Sequence, residues 1–66
     1  MSFDIETKFF TVKEVSDLLK LSELTIYKYI KAQTLEAFEF GGHFRISSTA
    51  LHTFINSHKA TKGDSE

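Results

Sequence analysis

Apolar residues recur at helical spacing after the aromatic pair Phe9 and Phe10, which forms either a short strand or a hydrophobic anchor. The stripe consists of Val12, Val15, Leu18 and Leu19, which are three or four positions apart. Thr11 precedes the stripe and Glu14 stands three positions after Thr11, as in a capping box. This pattern predicts a first helix from about Val12 to Leu19.

A second apolar stripe follows after a very short connection. Lys20 and Leu21 lead to Ser22, whose hydroxyl is placed to cap a second helix. The apolar face of that helix consists of Ile26, Tyr29 and Ile30, and the helix should end near Ala32 or Gln33. Two amphipathic helices joined by so short a link predict a helix-turn-helix. Such turns often require positive φ, which in lysine costs about 1 kcal/mol relative to glycine.

The apolar period changes to two from Glu36 onward, which is typical of half-buried strands. Two strands, at 36–40 and 43–46, are predicted to pair as a hairpin, because Gly41 and Gly42 between them tolerate positive φ. The side chains expected to face the helices are Phe38, Phe40, Phe44 and Ile46. Those expected to face solvent or a partner are Glu39, His43 and Arg45.

The last apolar stripe predicts a third helix, from about Thr49 to Asn56 with Ser47 or Ser48 as its cap. Its apolar residues are Ala50, Leu51, Phe54 and Ile55. The predicted fold is therefore mainly α with a small β-hairpin wing, a winged helix-turn-helix of three short helices and a two-stranded wing. We expect residues 1–8 to be a flexible segment, 9–57 the domain and 58–66 a disordered tail.

Length and composition restrict the function further. The 66 residues suffice for one small domain, and the absence of cysteine fits, without requiring, a reducing cytoplasm. We expect neither a membrane span nor a secretory signal, because no apolar run approaches 18 residues and no basic segment precedes an apolar one, and we expect a cytoplasmic protein without membrane contact. The net charge is −1, but residues 8–60 carry seven cations and five anions, a balance of +2. A weakly basic domain predicts modest non-specific affinity for nucleic acid.

The polar side of the second helix carries the candidate chemistry. Lys28 and Lys31 lie one turn apart with Tyr27 beside them, an arrangement that suits phosphates and base edges. The alternative is that both lysines are merely solvated and that Tyr27 is half-buried in the core.

Enzymatic chemistry and metal binding have little support, and we expect neither catalysis nor a cofactor. His52 and His58 are six positions apart and share no helical face, so they do not form a zinc pair. Gly41 and Gly42 form a hairpin turn and not a phosphate-binding loop.

The order of these elements resembles a known family. The stretch Phe10–Ile55, which covers about 46 of 66 residues, resembles the winged helix-turn-helix domains of phage-type excisionases and of MerR-family DNA-binding domains. The matching stretches are 11–15 in helix one, 19–22 at the turn, 25–31 in helix two and 41–46 in the wing, with Leu35 before the wing and Leu51, Phe54 and Ile55 closing the core.

This resemblance implies that the second helix enters the major groove of double-stranded DNA. The matching contact residues are Leu24, Thr25, Tyr27, Lys28 and Lys31. Ser22 and Glu23, at the N-terminus of this helix, are further candidate contact residues. The N-terminus of a helix attracts phosphate through its free backbone N–H groups. The wing, with His43 and Arg45, would reach the flanking backbone or the minor groove.

Several residues depart from the family pattern. Glu23 and Glu39 stand where cationic residues are frequent, Gln33 where glycine is, and Glu36 where proline is. Both Glu23 and Glu39 would repel phosphate. Glu23 either complements the helix dipole at the first helical position or accepts a hydrogen bond from cytosine N4.

Two functions from different classes follow. The first is sequence-specific DNA binding in transcription regulation or site-specific recombination, with cooperative assembly on repeated sites to compensate for few contacts. The second is a protein-interaction module on the same fold, for example an adaptor to a recombinase, with weak or no DNA binding.

Overall fold

The computed structural model describes residues 8–60, and within them a helix-turn-helix is followed by a β hairpin and a third helix. The elements are β1 (Phe9–Thr11), α1 (Val12–Leu19), α2 (Glu23–Lys31), β2 (Phe38–Phe40), β3 (His43–Ser47) and α3 (Ser48–Ser57). The predicted winged helix-turn-helix is confirmed. The wing is larger than predicted, because β1 pairs with β3 and gives a three-stranded antiparallel sheet in the order β1-β3-β2.

Each helix begins at a hydroxyl cap. Thr11 and Glu14 form the predicted capping box, with the Glu14 N–H donating to Thr11 Oγ1 at 3.0 Å and the Thr11 N–H donating to Glu14 Oε1 at 2.9 Å. Ser22 caps α2 as predicted. Of the two serines considered for α3, Ser47 is the cap, since its Oγ accepts from the Ala50 N–H at 3.1 Å.

The turn between α1 and α2 is left-handed at Lys20, with φ 59° and ψ 44°. The Lys20 N–H donates to the Asp17 carbonyl at 3.3 Å, and the Leu21 N–H donates to the Ser16 carbonyl at 2.9 Å. Ser16 itself is buried, which lets α2 approach α1 closely. Gln33, just after α2, has φ 63°. Both residues therefore adopt a backbone conformation that favours glycine.

The core lies between the helices and one face of the sheet. Its buried apolar residues are Val12, Val15, Ile26, Leu35, Ile46, Ala50, Leu51 and Phe54. Two residues assigned to apolar stripes are instead exposed, Leu18 at 57% and Ile55 at 42%. In α1 the buried row is Val12, Val15 and Ser16, so Leu18 lies beside this row and points away from the core.

The faces of the hairpin differ from the prediction. Strand pairing sets Phe38 opposite Arg45 and Phe40 opposite His43, while Glu39 lies opposite Phe44. Directly paired residues share a face of the sheet. Phe38 and Phe40 therefore lie on the outer face, away from Ile46 and the core, and the prediction that they face the helices is wrong. Because the loop has two residues, even-numbered residues of β2 pair with odd-numbered residues of β3 and share a face with them. The alternation within each strand does not contain this information.

The ends of the described segment pack against the domain. The Lys8 carbonyl accepts from the Ser48 N–H at 2.9 Å. The His58 ring lies 4.2 Å from the Phe54 ring and 5.6 Å from the Tyr29 ring, measured between centroids. The predictions for residues 1–7 and 61–66 lie outside the described residues. Between residues 8 and 60, every helix is too short and too polar to cross a bilayer.

Candidate nucleic-acid interface

One side of α2 is an exposed stripe that we call the recognition stripe: Leu24, Tyr27, Lys28 and Lys31. These residues follow the i, i+3, i+4, i+7 spacing of a single helical face. Ile26, on the other side, is fully buried and anchors α2 to the core. Leu24 is 65% exposed and Tyr27 43% exposed. The helix thus buries one apolar side and presents the recognition stripe to solvent.

Within the described part of the chain, no ion pair compensates the charge on the recognition stripe. Within residues 8–60 the single ion pair joins Lys13 to Asp17 on α1, at 3.4 Å, and both side chains are largely exposed. Lys28 and Lys31 therefore have no carboxylate partner in this part of the chain. Their position in the last turn of α2 is favourable for the helix dipole. Both ammonium groups are available to an external anion.

An open groove runs along the recognition stripe and is bounded by Phe44 of the wing. Its volume is about 620 Å³, and its lining consists of Leu24, Tyr27, Lys28, Ile30, Lys31 and Phe44. The rings of Tyr27 and Phe44 meet edge to face across it, with centroids 6.0 Å apart and planes at 65°. The groove has an apolar floor and a cationic rim.

The N-terminus of α2 holds three candidate residues with different roles in the fold. Ser22 Oγ accepts from the Thr25 N–H at 3.2 Å, and the hydroxyls of Ser22 and Thr25 share a hydrogen bond of 3.0 Å. Both hydroxyls therefore serve the cap. Glu23 is exposed in the first turn, where its charge complements the helix dipole.

The wing candidates His43 and Arg45 lie on the outer face of the sheet, opposite to the face that packs against the core. His43 is exposed directly after the turn formed by Gly41 and Gly42. Arg45 is half-buried, and its Nη1 donates to the Phe44 carbonyl at 2.9 Å. Because neighbouring residues in a strand point to opposite faces, Arg45 points away from the groove that Phe44 lines. The recognition stripe is thus joined by Phe44 and not by Arg45.

The alternation of Phe44 with Ile46 predicts a core position for Phe44 and does not indicate that Phe44 lines the groove. It does pack against the core, but it is only half-buried. The length of the Gly41–Gly42 loop is the sequence signal that indicates the position of Phe44 in the hairpin. A two-residue loop pairs Phe44 with Glu39 near the exposed end of the hairpin.

A cluster of three aromatic rings covers the outer face of the sheet. Phe9 meets Phe38 and Phe40 edge to face, with centroid distances of 5.8 and 6.2 Å. Phe40 is 56% exposed. We call this group the outer aromatic cluster. It lies on the same face of the sheet as His43 and Arg45, and β1 sets Phe9 opposite Ser47 on that face.

Residues 8–60 hold no group of three or more histidine, cysteine, aspartate or glutamate side chains close enough to share a metal ion. The interface in this part of the chain is built from lysines, aromatic rings and leucine. Such side chains suit recognition of an anionic, partly apolar surface by contact.

Comparison with known proteins identifies the class. The sequence profile of the family described as "Helix-turn-helix domain" matches residues 9–59. The chain belongs to this helix-turn-helix family, of the excisionase-like type. No solved structure matches the chain.

Relatives from two bacteria show similar sequences. "Uncharacterized protein YvgK" of Bacillus subtilis strain 168 is 39% identical over 49 residues, which is 74% of this chain and 16% of that protein. A protein of Mycobacterium tuberculosis strain H37Rv, named "Putative DNA-binding protein", is 31% identical over 52 residues, 79% of this chain and 67% of its own length. Its counterpart in strain CDC 1551 / Oshkosh matches equally. The chain thus corresponds to about a sixth of the first relative and two thirds of the others.

Proposed function

We propose that this protein binds double-stranded DNA in a sequence-specific manner, with α2 in the major groove. The observation that carries the proposal is the recognition stripe on the second helix of a helix-turn-helix. Its Lys28 and Lys31 are exposed and pair with no carboxylate of residues 8–60. In this motif the second helix is the one that lies in the major groove. Family membership and the name of the mycobacterial relatives support the same function.

The proposed contacts divide by chemistry. Lys28 and Lys31 contact phosphates, and the Tyr27 hydroxyl donates to a phosphate or base edge. The N-terminal turn of α2, with Ser22, Glu23, Leu24 and Thr25, faces base edges, as recognition helices commonly do. Glu23 there is an acceptor for cytosine N4.

The wing contributes the remaining contacts. His43, next to the tight turn, and Arg45 on the same face reach the flanking backbone or minor groove. For Arg45 this requires that its guanidinium exchange the Phe44 carbonyl for DNA. The output of such binding is transcription regulation or site-specific recombination in the cytoplasm, and several copies assemble cooperatively on repeated sites.

Selection of sites from a random duplex pool at low salt tests the proposal. The best site is then titrated against a scrambled duplex at two salt concentrations. We expect a recovered motif and a specificity ratio above roughly 10³. The double variant Lys28→Ala, Lys31→Ala should reduce the slope of log affinity against log salt by about two.

A matched control removes the same charge elsewhere. The double variant Lys13→Ala, Lys59→Ala also loses two exposed cations, but neither lies on the recognition stripe. It should keep most of the affinity and of the salt slope. Equal losses in the two double variants would show that net charge, and not the recognition stripe, governs binding.

The second candidate is a protein-interaction module, and the outer aromatic cluster is the observation that favours it. Exposed phenylalanines of this kind are enriched at protein interfaces. Absence of any enriched DNA motif, together with recovery of a recombinase or another protein partner that Phe40→Ser abolishes, would favour this function.

A further inference from the structure

Leu24 is the most exposed of the large apolar residues within residues 8–60, and it lies in the first turn of the recognition helix. An exposed leucine side chain adds little to the free energy of folding, because a leucine stabilises the fold only when its apolar surface is buried. It is also not needed for the helix, which Ser22 caps and Ile26 anchors. The Leu24 side chain is therefore available for an apolar contact with a binding partner.

The surroundings of Leu24 define the chemistry of that contact. Lys28 is one helical turn further on and Lys31 two turns, so an occupant of the groove meets cations on one side. Glu23, directly before Leu24, repels phosphate from the first turn. DNA can satisfy both the attraction of the two lysines and the repulsion of Glu23. Its phosphates then lie near the lysines, and its base edges lie near Leu24.

One base offers an apolar group in the major groove. Thymine carries a C5-methyl, whereas the other three bases present only polar groups and ring edges there. On the basis of the DNA binding proposed above, we propose that Leu24 determines specificity by packing against a thymine methyl, with Tyr27 and Phe44 forming the apolar wall beside it. The recognised sites therefore contain a thymine at a fixed position relative to the phosphates bound by Lys28 and Lys31.

Replacement of single thymines by deoxyuridine tests this inference, since uracil pairs identically and lacks only the methyl. The duplex is the best selected site, with each thymine replaced in turn, and the proteins are wild type, Leu24→Ala and Ile55→Ala. Ile55 is the matched control, an exposed aliphatic residue on α3. At one or two positions, replacing thymine by deoxyuridine should weaken the binding of wild type and of Ile55→Ala about fourfold. This loss corresponds to one lost methyl contact.

Leu24→Ala should bind the thymine and uracil duplexes equally at those positions. Thermal melting of each variant checks that the fold is kept, which the exposure of Leu24 leads us to expect. Indifference of wild type to every uracil, or an undiminished penalty in Leu24→Ala, would overturn the assignment while leaving DNA binding intact. If the unmodified duplex is not bound at all, the proposed function itself fails, and the inference fails with it.

Discussion

The Tyr27 ring meets the Phe44 ring edge to face at 6.0 Å, and this contact joins the recognition helix to the wing. Tyr27 carries two separable groups, a ring that packs against Phe44 and a hydroxyl that we propose as a DNA contact. Aromatic pairs of this geometry contribute about 0.5–1.5 kcal/mol beyond the area that they bury. The orientation of the wing relative to α2 therefore depends on both rings.

Substitutions at Tyr27 should separate packing from recognition. Tyr27→Phe keeps the ring, so the free energy of unfolding should stay within about 0.5 kcal/mol of wild type, while DNA affinity falls several-fold. Tyr27→Ala should lower both. Chemical denaturation and duplex titration measure the two effects. Unchanged DNA affinity in Tyr27→Phe would remove the hydroxyl from the proposed contacts.

Substitutions at Ser22 should separate the effect of helix capping on stability from the effect of local charge on DNA binding. Ser22→Ala removes the side-chain acceptor of the Thr25 N–H and should destabilise the protein by about 1 kcal/mol. Ser22→Asp keeps an acceptor at the cap, so stability should be retained. The added carboxylate would nevertheless lie at the proposed DNA surface and should weaken binding at low salt more than Ser22→Ala does. The opposite order of affinities would place the N-terminus of α2 away from the DNA.

Lys20→Gly should stabilise the protein by about 1 kcal/mol, because glycine adopts the left-handed conformation at this turn without strain. Lys20→Ala is the control, since it removes the ammonium group and keeps the Cβ. Alanine should bring no such gain. A comparable rise in melting temperature in both variants would attribute the effect to charge and not to the backbone.

The outer aromatic cluster should contribute to stability through Phe9. Phe9 contacts two rings, so Phe9→Ala should cost about 2 kcal/mol, whereas Phe40→Ala, at a more exposed ring, should cost about half of that. A double-mutant cycle between Phe9 and Phe40 should give a coupling of about 0.5–1 kcal/mol. Additive effects would mean that the two rings do not interact in solution.

The helix-turn-helix was predictable because its determinants are local. The capping box of Thr11 and Glu14, the cap at Ser22 and the positive φ of Lys20 each depend on residues a few positions apart. The bounds of α1 agree with the prediction for the same reason.

The sheet was less predictable because its determinants are not local. The role of Phe9 depends on Ser47, its partner in β3, which no local pattern reveals. The faces of Phe38 and Phe40 depend on how the loop sets the register. The register of the hairpin also sets the place of Phe44 at the groove, so the sequence pattern predicts the recognition stripe without Phe44.

The pairing of β1 with β3 has a consequence for folding. It joins the first element of the domain to the last strand, so the sheet closes only after the intervening helices have come together, at a cost in loop-closure entropy. The nine residues of α2 are too few to stay helical alone. The recognition helix and the sheet therefore form a single cooperative unit, and their hydrogen-bonded amides should share one opening free energy, that of global unfolding, when hydrogen exchange is measured.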